Sequence, residues 1–368
     1  MIYTYVLVIF LILFLVHYFI YYCFVVIFWL FNYKILLWII FFLLSISFII
    51  TSLLLHYYNN QLLKKLYYIS SVWHWLLSFL VFWFLLILII SAILHLFNIN
   101  FNIFIEWLIV VIFSVSIVWY WIYNSKNIVI TNVNVNIKNL PSTWKNKKVV
   151  MISDVHIWAI NWDDFIDLVA NKINALDPDL VFIVWDLFDW TDGELNDIDK
   201  HINKINAKQW IYFVNWNHET YIRDGIVSKT LLRTRINILD NEIVNIDWVQ
   251  IIWLSYLEKW FWSQNVEDVL NSLKKYDKKI PSILLFHTPL FIQNFIDFGI
   301  NLQLSWHTHK WQFWPYGYFS KLIYNWKDYW LYTYKDYNLY TSNWVWTWWP
   351  PLRIWKKPEI VLVNFKPI

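Results

Sequence analysis

Six of the ten histidines lie after residue 125, and five of those six stand in short polar segments that each follow an apolar run. His156 follows Asp154 by two residues in Ser153-Asp154-Val155-His156, and Asp186 and Asp189 share Trp185-Asp186-Leu187-Phe188-Asp189-Trp190. Asn217 and His218 share Trp216-Asn217-His218-Glu219, His287 stands in Leu285-Phe286-His287-Thr288-Pro289, and His307 and His309 flank Thr308. Divalent ions such as Mn²⁺ or Fe²⁺ take carboxylate and imidazole together, and a two-metal centre needs one oxygen ligand that bridges. The order of the segments supplies such a set. Two residues apart on leaving a strand, Asp154 and His156 point to the same side of the sheet end. Asp186 follows the next strand, and Asn217 adds a neutral oxygen after the third. His201, in a polar helical stretch, is the one histidine left over.

These segments need a scaffold that gathers several strand ends. Lys148–Ser153 reads as a buried strand ending at the Asp154 turn; Leu180–Val184, Trp210–Val214, Ile283–Phe286 and Leu302–Ser305 read likewise, with further strands expected at Val249–Leu254 and Ile360–Phe365. Asp163 to Ala175 has helical spacing, with Phe165, Leu168, Val169 and Ile173 on one face. Each polar segment thus begins at the C-terminal end of an apolar strand, where open α/β sheets collect their ligands.

The first third of the chain differs in kind. Ile2–Phe31, Ile35–Leu55, Val72–Phe97 and Ile103–Tyr123 each reach the roughly 20 apolar residues that cross a bilayer. The first has no basic n-region and no small-residue cleavage site, so it reads as an anchor and not a removable signal. The expected organisation is a transmembrane anchor of about four helices over 1–124, a linker and first strand over 125–148, and a catalytic domain over 149–368. Four spans put Lys64, Lys65 and Lys126 on one side and Lys34 on the other, which places the catalytic domain in the cytoplasm, against the inner or plasma membrane. His17, His74, His95 and Glu106 fall within the spans; snorkelling or a hydrogen bond to a neighbouring helix is expected of them before a functional role. The single cysteine, Cys23, excludes an intrachain disulfide, and a net charge of +3 is too small to point to nucleic acid.

The chain has 4 glycines and 29 tryptophans, where an average chain of this length carries about 26 glycines. Trp185, Trp216 and Trp306 directly precede candidate ligands, and Trp158, Trp190 and Trp311 stand in the same segments. Glycine there would allow positive φ and close backbone approach, whereas an indole must occupy space beside the ligands. The deficit of one residue roughly matches the excess of the other, and richness in Ile, Asn, Lys, Phe and Tyr fits an AT-rich source in which UGA is frequent. The expectation is that the source reads UGA as glycine and that those glycines are written here as tryptophan.

With glycine at those six positions the segments become DxH, GDxxDG, GNHE and GHTHxGQ, and the chain resembles the calcineurin-like metallophosphoesterases. The stretch from Leu339 to Arg353, followed by Pro358-Glu359-Ile360, is similar to the closing segment of the membrane-anchored bacterial YkuE and YaeI type. The resemblance covers about residues 125 to 366. It implies an α/β fold, a four-layer α/β/β/α sandwich preceded by an all-α transmembrane bundle. It also implies two divalent ions, Mn²⁺ first and Fe²⁺ or Zn²⁺ as alternatives. Asp154, His156, Asp186 and His309 would hold one ion; Asp186, Asn217, His287 and His307 would hold the other, with Asp186 bridging. By the same resemblance His218 stabilises developing charge and protonates the leaving group, Asp189 orients His218, and a metal-bridged hydroxide attacks phosphorus in line. Arg353 is either a phosphate clamp or the partner of a surface carboxylate, the second being expected, and Gln312 steadies its own loop. Trp314 stands where the family often has an aromatic residue, and Trp330 where relatives usually turn on glycine.

The function expected is that of a membrane-anchored phosphohydrolase acting on a phosphate ester or pyrophosphate. Beside a bilayer, the natural substrate is a lipid or a lipid-linked nucleotide sugar, as for the UDP-diacylglucosamine pyrophosphatases that some members of the group resemble. The segment from Tyr316 to Tyr340 is then either the wall of an apolar groove or an ordinary β-rich cap. Two alternatives stand beside this reading: a phosphodiesterase or nuclease acting on a soluble substrate, and a metal-binding membrane scaffold without turnover. The expected partners are the bilayer and a phosphorylated small molecule or lipid, with no nucleic acid.

Overall fold

A computed structural model describes residues 2–58, 60–99, 102–155, 163–184, 198–214, 226–239, 242–254, 266–273, 275–308, 316–347, 351–354 and 356–367. The chain divides into two compact units, Met1–Tyr123 with Trp349–Leu352, and Asn124–Trp348 with Arg353–Ile368.

The first unit is built on α1 (Ile2–Ile27), α2 (Lys34–Tyr57), α3 (Gln61–Leu96) and α4 (Ile103–Ser125), all long and apolar enough to cross a membrane. Leu15, Ile35, Leu53, Ile89 and Ile109 point outward from it, an apolar surface larger than a water-soluble monomer carries. Several polar groups inside the bundle find partners within it, as a hydrocarbon surround favours. Thr51 Oγ1 donates to Ser47 O at 2.8 Å and Ser45 Oγ to Phe42 O at 2.7 Å. Trp73 Nε1 donates to His17 Nε2 at 2.9 Å, His17 Nδ1 lies 2.7 Å from Leu13 O, and Ser91 Oγ donates to Glu106 Oε2 at 3.2 Å. The helix-to-helix role expected of His17 and Glu106 is the one they have. α3 begins at Gln61, ahead of the Val72 read from hydropathy, because Asn60 caps it: Oδ1 accepts Leu62 N–H at 2.7 Å.

The second unit pairs two six-stranded sheets. The first holds β1 (Val129–Ile137), β2 (Lys148–Ser153), β3 (Leu180–Val184), β4 (Trp210–Val214), β5 (Asn237–Leu239) and β12 (Glu359–Pro367), in the order β1-β12-β2-β3-β4-β5. The second holds β6 (Ile243–Ile246), β7 (Val249–Trp253), β8 (Ser282–Leu285), β9 (Leu302–Ser305), β10 (Trp330–Tyr334) and β11 (Tyr337–Thr341), in the order β10-β11-β9-β8-β7-β6. β2 to β5 run parallel, as do β7, β8, β9 and β11, while β12 and β2 pair antiparallel, Val361 opposite Met151.

Alternation sorts the core. Val149, Met151, Leu180 and Phe182 meet Ile283, Leu285, Leu302 and Leu304 between the sheets. Val150, Ile152, Val181 and Ile183 face the other way, against Phe165, Ile166, Val169 and Ile173 of α5 (Asp163–Asn174). Ile252, Leu284 and Leu339 do the same for the second sheet, against Leu270 of α8 (Val266–Ser272) and Phe295 of α9 (Ile292–Phe298). α6 (Ile198–Ile202) and α7 (Ile226–Leu231) complete the first outer layer, and α10 (Tyr316–Ile323) lies between β9 and β10 in the chain. The result is the expected four-layer α/β/β/α sandwich. Its central strands read as unbroken apolar runs because both faces are covered.

Fifteen described non-glycine residues have positive φ, seven of them Asn or Asp, which tolerate this region, and five of them tryptophan, which does not. The five are Trp29, Trp248, Trp326, Trp330 and Trp344. Trp29 ends α1 at φ +52°, with Leu30 N donating to Val25 O at 3.0 Å. Gly299 ends α9 in the same way at φ +93°, with Ile300 N donating to Phe295 O at 2.9 Å. This is the closure that glycine usually makes. Asp247 and Trp248, at φ +45° and +64°, form the two-residue turn between β6 and β7, a mirror-image turn for which Asp-Gly is a preferred pair.

Candidate metal centre

Three of the nine candidate site residues fall among those described: Asp154, His287 and His307. His156, Asp186, Asp189, Asn217, His218 and His309 lie outside the described residues, as does Gln312. His287 and His307 each follow the last residue of a strand by two positions, β8 and β9, which are adjacent and parallel. Their rings are brought together, centroids 3.8 Å apart and planes at 42°. The backbone holds them there: Trp306 N donates to His287 O at 2.9 Å, and Ser305 Oγ donates to Phe286 O at 2.7 Å. Gln303 Nε2 donates to Thr288 O at 3.0 Å beneath them. Past the pair, Thr308 Oγ1 donates to Asp328 O at 2.7 Å.

Asp154 leaves β2 of the other sheet, fully buried and at φ +51°. The segment after β11 ties the two sheets together at this end. Ser342 N donates to Ser305 O at 2.8 Å, and three residues later Val345 N donates to Ser153 O at 3.1 Å. Three residues span at most about 10 Å, so the strand ends preceding His307 and Asp154 are stitched to one short link.

Arg353 holds that link. It is buried, and its guanidinium donates to Asn343 Oδ1 at 3.0 Å, to Trp344 O at 3.3 Å and, in a short contact, to Trp346 O. Burial drives its pKa down to about 10 against the opposing pull of the Glu359 and Asp154 carboxylates, so it stays charged at neutral pH. Glu359 is buried too and accepts from Thr131 Oγ1 at 2.6 Å, Asn343 N at 2.7 Å and Tyr340 OH at 3.0 Å. Arg353 is thus neither of the things read from sequence, a phosphate clamp or the partner of a surface carboxylate. It turns inward to the link that joins Asp154 to His307.

A buried carboxylate and two imidazoles in near contact suit a divalent transition-metal ion, for which carboxylate and imidazole are both good ligands. Among the described residues no group of three or more His, Cys, Asp and Glu side chains gathers at metal distance. His201 stands apart, with Nδ1 2.8 Å from Asp167 Oδ1 in a hydrogen-bonded contact away from these residues. Trp306, buried in the core between the sheets with its ring 5.8 Å from that of His287, is not among the residues of positive φ. The conformational argument for glycine therefore does not apply at that position.

No family model matches the chain. An uncharacterized metallophosphoesterase of Campylobacter jejuni is 28% identical over 240 residues, 64% of this chain and 63% of that protein. A transmembrane protein with metallophosphoesterase domain from Bos taurus is 29% identical over 203 residues, 50% of this chain and 45% of its own length. Its curated relatives are named metallophosphoesterases. The chain spans roughly half to two thirds of their length. Among solved structures, a candidate 5′-nucleotidase of Staphylococcus aureus in complex with α-ketoglutarate matches with a TM-score of 0.34 and 12% identity, over 53% of this chain and 48% of that one.

Proposed function

We propose that this protein is a membrane-anchored, dinuclear metal-dependent phosphohydrolase of the calcineurin-like kind, of the YkuE and YaeI type. The observation that carries the reading is the His287–His307 pair, whose strand end is tied to that of Asp154 by residues 342–345; the naming of the relatives supports it. Asp154, His156, Asp186 and His309 hold one ion, and Asp186, Asn217, His287 and His307 the other. Two bound ions, Mn²⁺ being the natural choice for this donor set, supply Lewis acidity toward the phosphoryl oxygens. His218 donates the proton to the leaving group, and Asp189 fixes its tautomer.

The substrate class proposed is a phosphate ester or pyrophosphate on a lipid or lipid-linked nucleotide sugar, with the domain on the cytoplasmic side. Four helices of membrane-crossing length on the same polypeptide support a membrane substrate. We also infer that the tryptophans at positive φ, and those of the ligand segments, are glycines encoded by UGA. The five described indoles at positive φ are what supports this.

The test is Mn²⁺-dependent hydrolysis of bis-p-nitrophenyl phosphate by the full chain, with tryptophan and with glycine at positions 158, 185, 190, 216, 306 and 311. Hydrolysis by the glycine form that His287→Ala abolishes supports the reading. A folded glycine form that binds Mn²⁺ without turnover points instead to the scaffold.

A further inference from the structure

Helix α10 is built inside out. Its inner side carries Ser320, whose Oγ donates to Thr308 O at 2.9 Å, and Tyr324 just beyond its end is buried as well. Its outer side carries Tyr318, Phe319, Leu322 and Ile323, which are 60%, 58%, 67% and 53% exposed. Residues three and four apart share a helix face, so these four make one continuous apolar stripe. α5 of the same domain shows the ordinary arrangement, with Ile166, Val169 and Ile173 buried and Asp164 and Asn171 outside. A water-facing helix with the apolar pattern reversed needs a cover.

The chain itself says which. Four helices able to cross a membrane belong to the same polypeptide, so a bilayer always lies within molecular reach. The stripe also has the chemistry of an interface: Lys321 extends over the Tyr318 ring at 5.3 Å, placing an ammonium among aromatic and aliphatic groups, and Lys327 follows. Cationic and aromatic groups bordering an apolar face are what lets a helix lie in the headgroup layer. Nothing here depends on Trp326 or Trp330, so the stripe survives if both are glycine.

We propose that α10 is an interfacial helix that lies in the bilayer surface with Tyr318, Phe319, Leu322 and Ile323 among the acyl chains. The Ser320–Thr308 hydrogen bond fastens this helix to the residue after His307, so a lipid partly lifted by α10 emerges next to the metal ligands. The proposal rests on the phosphohydrolase reading for its consequence in catalysis, but not for the seating of the helix.

The experiment uses the full chain carrying C23S and a bimane label at F319C or L322C, reconstituted in nanodiscs of phosphatidylcholine and phosphatidylglycerol. Quenching by doxyl-labelled lipid together with shielding from iodide is the expected result at both positions. A label at L232C, on the highly exposed Leu232 just beyond α7, is expected to be open to iodide. Iodide access at 319 and 322 without doxyl quenching overturns the proposal. So does protection from both quenchers, which means that protein covers the stripe. In the second arm, F319E/L322E leaves hydrolysis of bis-p-nitrophenyl phosphate within twofold and lowers phosphatase activity on dioleoyl phosphatidic acid vesicles at least tenfold. Equal activity of variant and parent on the vesicles overturns the role in lipid capture. Loss of both activities in parent and variant instead refutes the phosphohydrolase reading, and the labels still decide the seating.

Discussion

Replacing Trp248 by glycine is expected to stabilise the protein, although it deletes the largest side chain there is. Asp247 and Trp248 are the only residues between the paired positions Ile246 and Val249, and both have left-handed φ. A side chain bearing a Cβ costs roughly 1–2 kcal/mol in that conformation. The indole is 76% exposed, so little packing is lost with it. Glycine adds back roughly 0.5–1 kcal/mol of chain entropy on folding. The net gain is about 0.5–1 kcal/mol, which for a domain of this size is a rise of about 1–4 °C in Tm. Trp144→Gly is the counter-experiment. That indole is fully buried, donates Nε1–H to Ile246 O at 3.0 Å and meets the Phe365 ring edge-on at 5.2 Å. Its removal is expected to cost roughly 3–5 kcal/mol or more. Both are read by thermal proteolysis of the full-length protein in detergent, following cleavage within the second unit. A fall in Tm for Trp248→Gly beyond 1 °C would refute the strain argument and remove the structural support for glycine at the left-handed positions.

Four further outcomes are expected. Arg353→Met frees the carbonyls of residues 344 and 346, and hydrogen exchange should speed up together in residues 342–347 and 150–155 while β7 is unchanged; acceleration of the first segment alone would show that the link does not position Asp154. Glu359→Gln weakens the buried acceptor of Thr131 Oγ1, Tyr340 OH and Asn343 N and takes a negative charge from the surroundings of Arg353, and should lower the denaturation midpoint. His307→Ala should reduce Mn²⁺-dependent turnover by more than the roughly 10–100-fold typical of groups that only support a ligand, measured against bis-p-nitrophenyl phosphate. Removing metal with a chelator should lower Tm and Mn²⁺ restore it, by about 2.7 kcal/mol when the ion exceeds its Kd a hundredfold; an unchanged Tm would mean the site holds no ion.

The strands were legible because their residues had no alternative. Val149 to Ile152 and Leu180 to Val184 are apolar at every position, and only a strand covered on both faces buries all of them. His287 and His307 were put together by the resemblance, and the structure brings their rings together because β8 and β9 are adjacent, parallel and end in the same way. What could not be read was anything set by contact across the chain. Hydropathy gave no sign that β1 pairs with β12, because its outer half alternates with Asn132, Asn134 and Asn136, and its partner lies over 200 residues away. The inward turn of Arg353 was hidden for the same reason, since its acceptors are mostly main-chain carbonyls. The exposed stripe of α10 was readable as aromatic content but not as a face, because Ser320 and Tyr324 decide which side is inside.

The two kinds of tryptophan lead to a prediction that needs no protein at all. Trp73 and Trp144 use their indole N–H, one to His17 Nε2 and the other to Ile246 O, and glycine has no group to replace it. Trp29, Trp248, Trp326, Trp330 and Trp344 hold a backbone conformation that tryptophan resists and glycine adopts freely. If one codon served both sets, a single residue would have to satisfy both requirements, and neither residue does. The coding sequence should therefore carry UGG at positions 73 and 144 and UGA at positions 29, 248, 326, 330 and 344. The rule extends to positions where conformation alone does not decide: a UGA at Trp306 would mean that the core between the sheets closes around His287 without an indole. Reading these codons decides the matter, because UGG at the left-handed positions would make their strain a property of the protein and remove the case for glycine beside the candidate ligands.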